Sequence, residues 1–276
     1  LNITPDSFSD GGRFLDAGAA LDHALRMLDE GADVIDLGGE STRPNAVALT
    51  AGQEQARVLP VLRAILAARP GTVLSIDTYH AETARAAVDA GAEIVNDVSG
   101  HLWDGTMSAA CAELRCGAIL MHTRGRPQEW KTQGGLAPEE VVPLVIDELR
   151  ARTEAAMRAG VARETIVVDP GFGFGKILDE NYPLLARLGE LHALGFPVMA
   201  GVSRKSFLRG AAADAAGRTP VTSAPGAGGA AELGLATAVA NTAAILGGAH
   251  ILRVHDVAAA RDVAYVADRV LQVGGG

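Results

Sequence analysis

The sequence predicts an α/β protein of the (β/α)8, or TIM, barrel class, and three observations carry that prediction. Short apolar runs alternate with helical patterns along the chain, and such alternation implies parallel strands, whose neighbours need a crossover between them. Counting a first strand truncated at the N-terminus, eight such units fit into 276 residues, a length that favours a closed barrel over an open doubly wound sheet. No G-x-G-x-x-G follows the first complete strand, which weighs against a dinucleotide fold.

Leu1-Asn2-Ile3 stands directly before a Thr4-Pro5-Asp6 turn and reads as the end of a strand with a few residues missing upstream. A polar, Gly-rich loop covers 4–12. Leu21, Ala24, Leu25 and Leu28 then give residues 15–30 one apolar helical face, with Gly31 as the stop. Residues 33–37 read as a buried strand. Helices at 53–68, 81–90, 104–114, 138–159, 179–194 and 230–246 precede strands at 72–76, 93–95, 117–121, 165–168, 197–200 and 249–252. A short helix at 206–213 and a flexible Gly/Ala/Pro-rich loop at 215–229 belong to the seventh unit. A last helix spans 257–273. No linker is long enough to mark a second domain, so 1–276 is expected to be one.

Composition narrows the function. The chain is 48% hydrophobic with 33 glycines and only 4% aromatics, which predicts a large core of small aliphatic side chains. A net charge of −9 argues against a nucleic-acid surface, so any anionic substrate needs local cations. Cys111 and Cys116 read as buried or free thiols, which suits a reducing cytoplasm. The most apolar stretch, 233–252, is interrupted by Asn241, Thr242, Gly247, Gly248 and His250, and no membrane span is expected.

In this barrel class the loops after the strand C-termini build the active site. Those positions hold Asn2, Asp36, Asp77, Asn96, His122, Asp169, Ser203 with Lys205, and Arg253 with His255. Asp77, Asn96 and Asp169 offer fixed acceptors, and Lys205 adds donors. Such a set matches a planar heterocycle with alternating donors and acceptors along one edge, such as an aminopyrimidinone. Arg253 and His255, two apart at a strand end, share a side and suit a phosphate. The Gly201–Phe207 stretch opens a helix with hydroxyls and cations at one point, which suits an anion or a polar ring edge. There is no H-E-x-x-H, paired C-x-x-C or G-x-S-x-G, so a zinc hydrolase or serine-triad enzyme is not expected. His23, His80 and His192 read as surface or packing residues. Gly171-Phe172-Gly173-Phe174-Gly175-Lys176 looks like a phosphate loop but lacks the Walker spacing.

Seven landmarks in order resemble the dihydropteroate synthase family. They are 2–12 (NITPDSFSDGG), 39–44 (GESTRP), 75–78 (SIDT), 96–98 (NDV), 169–174 (DPGFGF), 203–207 (SRKSF) and 253–257 (RVHDV). The resemblance implies condensation of 6-hydroxymethyl-7,8-dihydropterin pyrophosphate with p-aminobenzoate, giving 7,8-dihydropteroate and pyrophosphate by a dissociative substitution. By matching position it implies that Asp77, Asn96, Asp169 and Lys205 hold the pterin. Asn2 then binds Mg²⁺ beside the pyrophosphate, which Arg253, His255 and Arg43 clamp. Phe174, Lys205, Ser206, Thr42 and Pro44 surround p-aminobenzoate, and Asp10 stabilises a cation on the pterin methylene. The family is usually dimeric through its C-terminal helices, which makes a homodimer the expected partner state.

This chain departs from the family pattern at Asn45, where Gly is usual, at 122–127 after His122, and at Gly234-Leu235, where Gly-Thr is typical. The Phe174 loop has ordinary length, without the insertion that marks sulfonamide-insensitive members. A pterin-binding methyltransferase barrel and a non-catalytic pterin-binding protein are the alternatives. Neither has a use for the arylamine and pyrophosphate residues.

Overall fold

The computed structural model describes residues 1–3, 13–41, 48–130, 132–209 and 227–274, with the backbone alone at 13–16 and 227–232. Two compact units contain them: 1–123 with 148–168, and 124–147 with 169–276.

In the first unit a five-stranded sheet has the order β1 (Val34–Gly38), β2 (Val73–Asp77), β3 (Ile94–Asp97), β4 (Gly117–Met121) and β5 (Ile166–Asp169). The strands run parallel, with Val34 beside Val73, Ser75 beside Ile94 and Ile94 beside Gly117. The opening residues continue this order. Asn2 bridges Gly38 in parallel, Ile3 N–H donates to Gly38 O at 2.7 Å, and Gly38 N–H donates to Leu1 O at 3.1 Å.

Helices α1 (Arg13–Asp29), α2 (Ala51–Ala68), α3 (Ala81–Asp89) and α4 (Met107–Leu114) alternate with these strands. Helix α2 shows why. Thr50 and Gln53 form a reciprocal capping box that satisfies backbone donors left over at a helix start. Beyond it Val58, Val61, Leu62 and Ile65 recur at helical spacing and are all fully buried. They belong to the same core as Ile35, Leu37, Leu74 and Ile76 of β1 and β2, which are also fully buried. Helix α5 (Pro138–Arg158) precedes β5.

The second unit contains α6 (Asn181–Ala186), the parallel pair β6 (Met199–Ala200) and β7 (Ile251–Leu252), α7 (Ala227–Leu246) and α8 (Val257–Gly274). A helix also opens at Ser206, described as far as Arg209. Among the described residues the opening bridge and seven strands, each followed by a helix, match the eight units of the (β/α)8 class.

Two expectations change here. The helix read at 179–194 is three pieces: a 3₁₀ turn at Leu178–Glu180, α6, and a 3₁₀ segment at Leu188–Leu194. Gly189 lies in the last piece, where a Cβ would stand 3.3 Å from Gly247 O. The expected loop at 215–229 gives way to helix from Ala227, and its earlier part lies outside the described residues.

Candidate active site

Ladder register aligns the polar strand ends of the first unit. Gly38 pairs with Asp77, and Asp77 pairs with Asn96, while Asn2 bridges Gly38 from the other side. Adjacent parallel strands lie about 4.8 Å apart, so Asn2, Gly38, Asp77 and Asn96 are successive rungs at one level. A Cβ on Gly38 would stand 3.6 Å from Asp77 Oδ2 and 3.8 Å from Asn2 Oδ1. Side-chain oxygens therefore flank a glycine that leaves room between them. Asn96 is only 2% exposed, and its Nδ2 donates to Asp36 Oδ2 at 3.0 Å.

The second unit carries a cationic cluster of its own. Gly171, Gly173 and Gly175 all have positive φ (66°, 77° and 68°), which favours glycine at alternate positions. The phenylalanines between them go separate ways. Phe172 is buried and stacks on Phe207 at 6.2 Å. Phe174 meets Trp130 edge-on at 5.5 Å and has the Lys205 ammonium 4.1 Å from its ring centre, within the range of a cation–π contact. The loop's own lysine turns inward: Lys176 Nζ donates to Gly171 O at 2.8 Å and to Phe174 O at 3.2 Å. Its resemblance to a phosphate loop ends there, because that ammonium is spent on the loop's carbonyls.

Asp169 is buried, and one of its oxygens accepts the Gly171 N–H at 2.7 Å. Burial raises its pKa above the usual carboxylate value. The Gly171 N–H and the charges of Lys205, Arg253 and Lys176 oppose that rise. Gly201 lies between the two functions, since a Cβ there would be 3.8 Å from both Arg253 Cβ and Asp169 Oδ2. Arg204 has a left-handed backbone (φ 55°), uncommon for a residue with a side chain, and its N–H donates to Thr237 Oγ1 at 3.2 Å. Ser206 is exposed at the start of its helix. Burial of the His255 ring, then Arg204, Arg253 and Lys205, lower its pKa to about 4, although the residue as a whole stays open to solvent. Asp10, Thr42, Arg43 and Pro44, with the departure at Asn45, lie outside the described residues.

Other polar groups carry structure that periodicity did not reveal. Glu54, 1% exposed, accepts the Thr78 hydroxyl at 2.7 Å, and burial raises its pKa. Glu40 accepts the Tyr79 hydroxyl at 2.6 Å and lies 3.4 Å from His80 Nε2, so His80 is part of a polar network. His122 is fully buried, with Nε2 3.2 Å from Glu148. Arg152 donates to Met121 O at 2.6 Å and Thr123 O at 2.9 Å, which ties down the carbonyls around His122. Asp36 and Ser203 stood among the strand ends, but nothing local marked what they hold.

Residues 1–255 match the family model described as pterin binding enzyme. A dihydropteroate synthase of Mycobacterium leprae is 43% identical over 282 residues, covering 99% of this chain and 93% of the relative. The dihydropteroate synthase of Xanthomonas albilineans, solved with 4-aminobenzoic acid, superposes with a TM-score of 0.84 at 40% identity, covering 98% and 90% of the two chains. That of Anaplasma phagocytophilum, solved with 6-hydroxymethylpterin-monophosphate, gives 0.85 at 36% identity, covering 98% and 97%.

Proposed function

From the premise that this chain belongs to the pterin-binding enzyme family and carries out the dihydropteroate synthase reaction of folate biosynthesis, we propose how its residues divide the work. The reaction joins 6-hydroxymethyl-7,8-dihydropterin pyrophosphate to p-aminobenzoate, releasing pyrophosphate. Asp77, Asn96, Asp169 and Lys205 hold the pterin ring. Arg253 and His255, with Arg43, hold the pyrophosphate. Phe174, Lys205, Ser206, Thr42 and Pro44 form the p-aminobenzoate side, and Asp10 faces the reacting methylene. One pterin-binding domain, 1–276, carries all of these.

The observation that carries this reading is Lys205, with its ammonium over Phe174 and its charge acting on buried Asp169. One cation thereby serves an aromatic wall and a ring-binding carboxylate together. The solved relatives with 4-aminobenzoic acid and 6-hydroxymethylpterin-monophosphate support placing both substrate types here.

The substitution is dissociative. The methylene–oxygen bond breaks first, pyrophosphate leaves with the electron pair, and the neutral arylamine forms the new C–N bond before losing a proton. Arg253 and the ring N–H of His255 stabilise charge that grows on the leaving group. No nucleophilic side chain is required.

Among the described residues no cluster of three or more His, Cys, Asp or Glu could hold a metal alone. Mg²⁺ does not need one, because it keeps several waters and binds through one or two protein oxygens plus substrate phosphates. Asn2 Oδ1, near Gly38, fits that demand. When bound there, Mg²⁺ would supply positive charge to the departing pyrophosphate.

A homodimer through α7 and α8 belongs to the same proposal. Leu235 and Val239 on α7, and Tyr265, Val266, Val270 and Val273 on α8, are each more than half exposed, an apolar surface that a second copy would cover. Among the described residues no helix is long and apolar enough to cross a membrane. The free, buried Cys111 and Cys116 support a cytoplasmic location. Titration with pterin, with and without p-aminobenzoate, together with a dihydropteroate assay, tests the whole reading. Pterin binding without product formation would sink it.

A further inference from the structure

Asn96 is held in one orientation by a residue that has so far had no role. Its Nδ2 donates to Asp36 Oδ2 at 3.0 Å, and its Oδ1, buried, has no hydrogen-bond partner among the described residues. A carboxylate accepts hydrogen bonds and does not donate them. Only the NH₂ end of the amide can therefore face Asp36, and the oxygen must face away from it. A hydroxyl or carboxamide in place of Asp36 would accept either end. A buried acceptor left without a partner is unfavourable and needs a reason. The register supplies one, because Asn96 is the direct ladder neighbour of Asp77, at the strand ends assigned to the pterin.

We propose that Asp36 is a positioning residue that locks the Asn96 side chain so that Oδ1 is offered as an acceptor to a ring N–H of the pterin. This rests on the reading that Asn96 contacts the pterin. It adds a rule of specificity: the ring must present a donor at that point, and a heterocycle with a bare acceptor there is rejected. Asp36 acts through Asn96 and need not touch the ligand.

A double-mutant cycle tests this, with 6-hydroxymethyl-7,8-dihydropterin, which carries the ring N–H groups of the substrate, as the calorimetric probe. Asp36→Asn and Asn96→Ala are each expected to weaken binding about tenfold, the scale of one misdirected or missing hydrogen bond. The double variant should bind no more weakly than Asn96→Ala alone, because nothing remains to be oriented. Losses that multiply, or wild-type affinity in Asp36→Asn, overturn the proposal. If Asp36→Asn folds poorly by thermal melting, Asp36→Ser poses the same question, with the same additive outcome counting against it. Failure of the wild type to bind the probe would instead remove the pterin reading, and this proposal with it.

Discussion

His255 Nδ1 lies 2.9 Å from Ser203 Oγ, and the same oxygen accepts the His255 backbone N–H at 3.3 Å. With one lone pair occupied by the backbone, the serine hydrogen is free to go to Nδ1. A ring whose pKa is lowered to about 4 is neutral at pH 7, and when the serine hydrogen goes to Nδ1 its one proton is on Nε2. In that tautomer His255 presents a donor without a charge, beside the charge of Arg253. Ser203→Ala should unlock the tautomer and weaken pyrophosphate as a product inhibitor about tenfold. An unchanged inhibition constant would show that Ser203 is only packing.

Replacing Lys205 by a neutral side chain removes both the cation over Phe174 and a positive charge acting on Asp169. If Lys205 contacts the reacting ligand as proposed, Lys205→Ala should lower kcat/KM by about 10³-fold. Burial then acts on Asp169 with one opposing cation fewer, so its pKa should rise further. Near-normal turnover in steady-state assays would remove Lys205 from the site.

Phe174 separates the two substrates experimentally. Phe174→Leu should raise KM for p-aminobenzoate about tenfold through lost ring contact, with pterin affinity nearly unchanged in the same titration. The loop's ordinary length further predicts sulfonamide inhibition constants comparable to the p-aminobenzoate KM. Constants far above that KM would point instead to Asn45 and its neighbours.

Asn2 is expected to matter only when metal is present. Asn2→Ala should weaken pyrophosphate binding in the presence of Mg²⁺ and leave it unchanged with a chelator. Calorimetry under the two conditions reads the difference, and identical curves for wild type and variant would end the assignment.

Acid stability should depend on His101, whose ring nitrogen lies 2.9 Å from Ser108 Oγ. Burial lowers its pKa from 6.5 to about 4. Between those values the unfolded chain binds a proton that the folded chain refuses, so stability falls as pH drops through this window. Asp97 opposes it. Burial raises that carboxyl to about 6, so below pH 6 the folded state takes the proton first and regains stability. His101→Asn, which tolerates the local left-handed backbone (φ 67°), should therefore lose roughly 5 °C less in melting temperature than wild type between pH 7 and 4.5. Parallel melting curves would exclude the histidine as the cause.

The fold was legible because short apolar runs end in, or are followed within a few residues by, polar side chains, and β4 appears at the bounds its sequence suggested. The strand-end residues were legible for the same reason. Partnerships were not. Asp36 and Asn96 are 60 residues apart, Ser203 and His255 are 52 apart, and Arg152 reaches the carbonyl of Met121 from 31 away. Periodicity reports which face a side chain occupies and says nothing of what meets it there. The Lys176 loop misled for a related reason: glycine spacing shows that a backbone turns tightly, but not whether its amides or its carbonyls face the cation.

That inward lysine also shapes how the protein meets electrophiles. The chain has only three lysines, Lys131, Lys176 and Lys205. Lys176 is 6% exposed, with its ammonium bound to carbonyl oxygens, so acylating and aldehyde reagents are turned away from it. Amine-directed covalent chemistry therefore meets one competitor fewer within this molecule, and a warhead carried on an aryl carboxylate would be directed to Lys205.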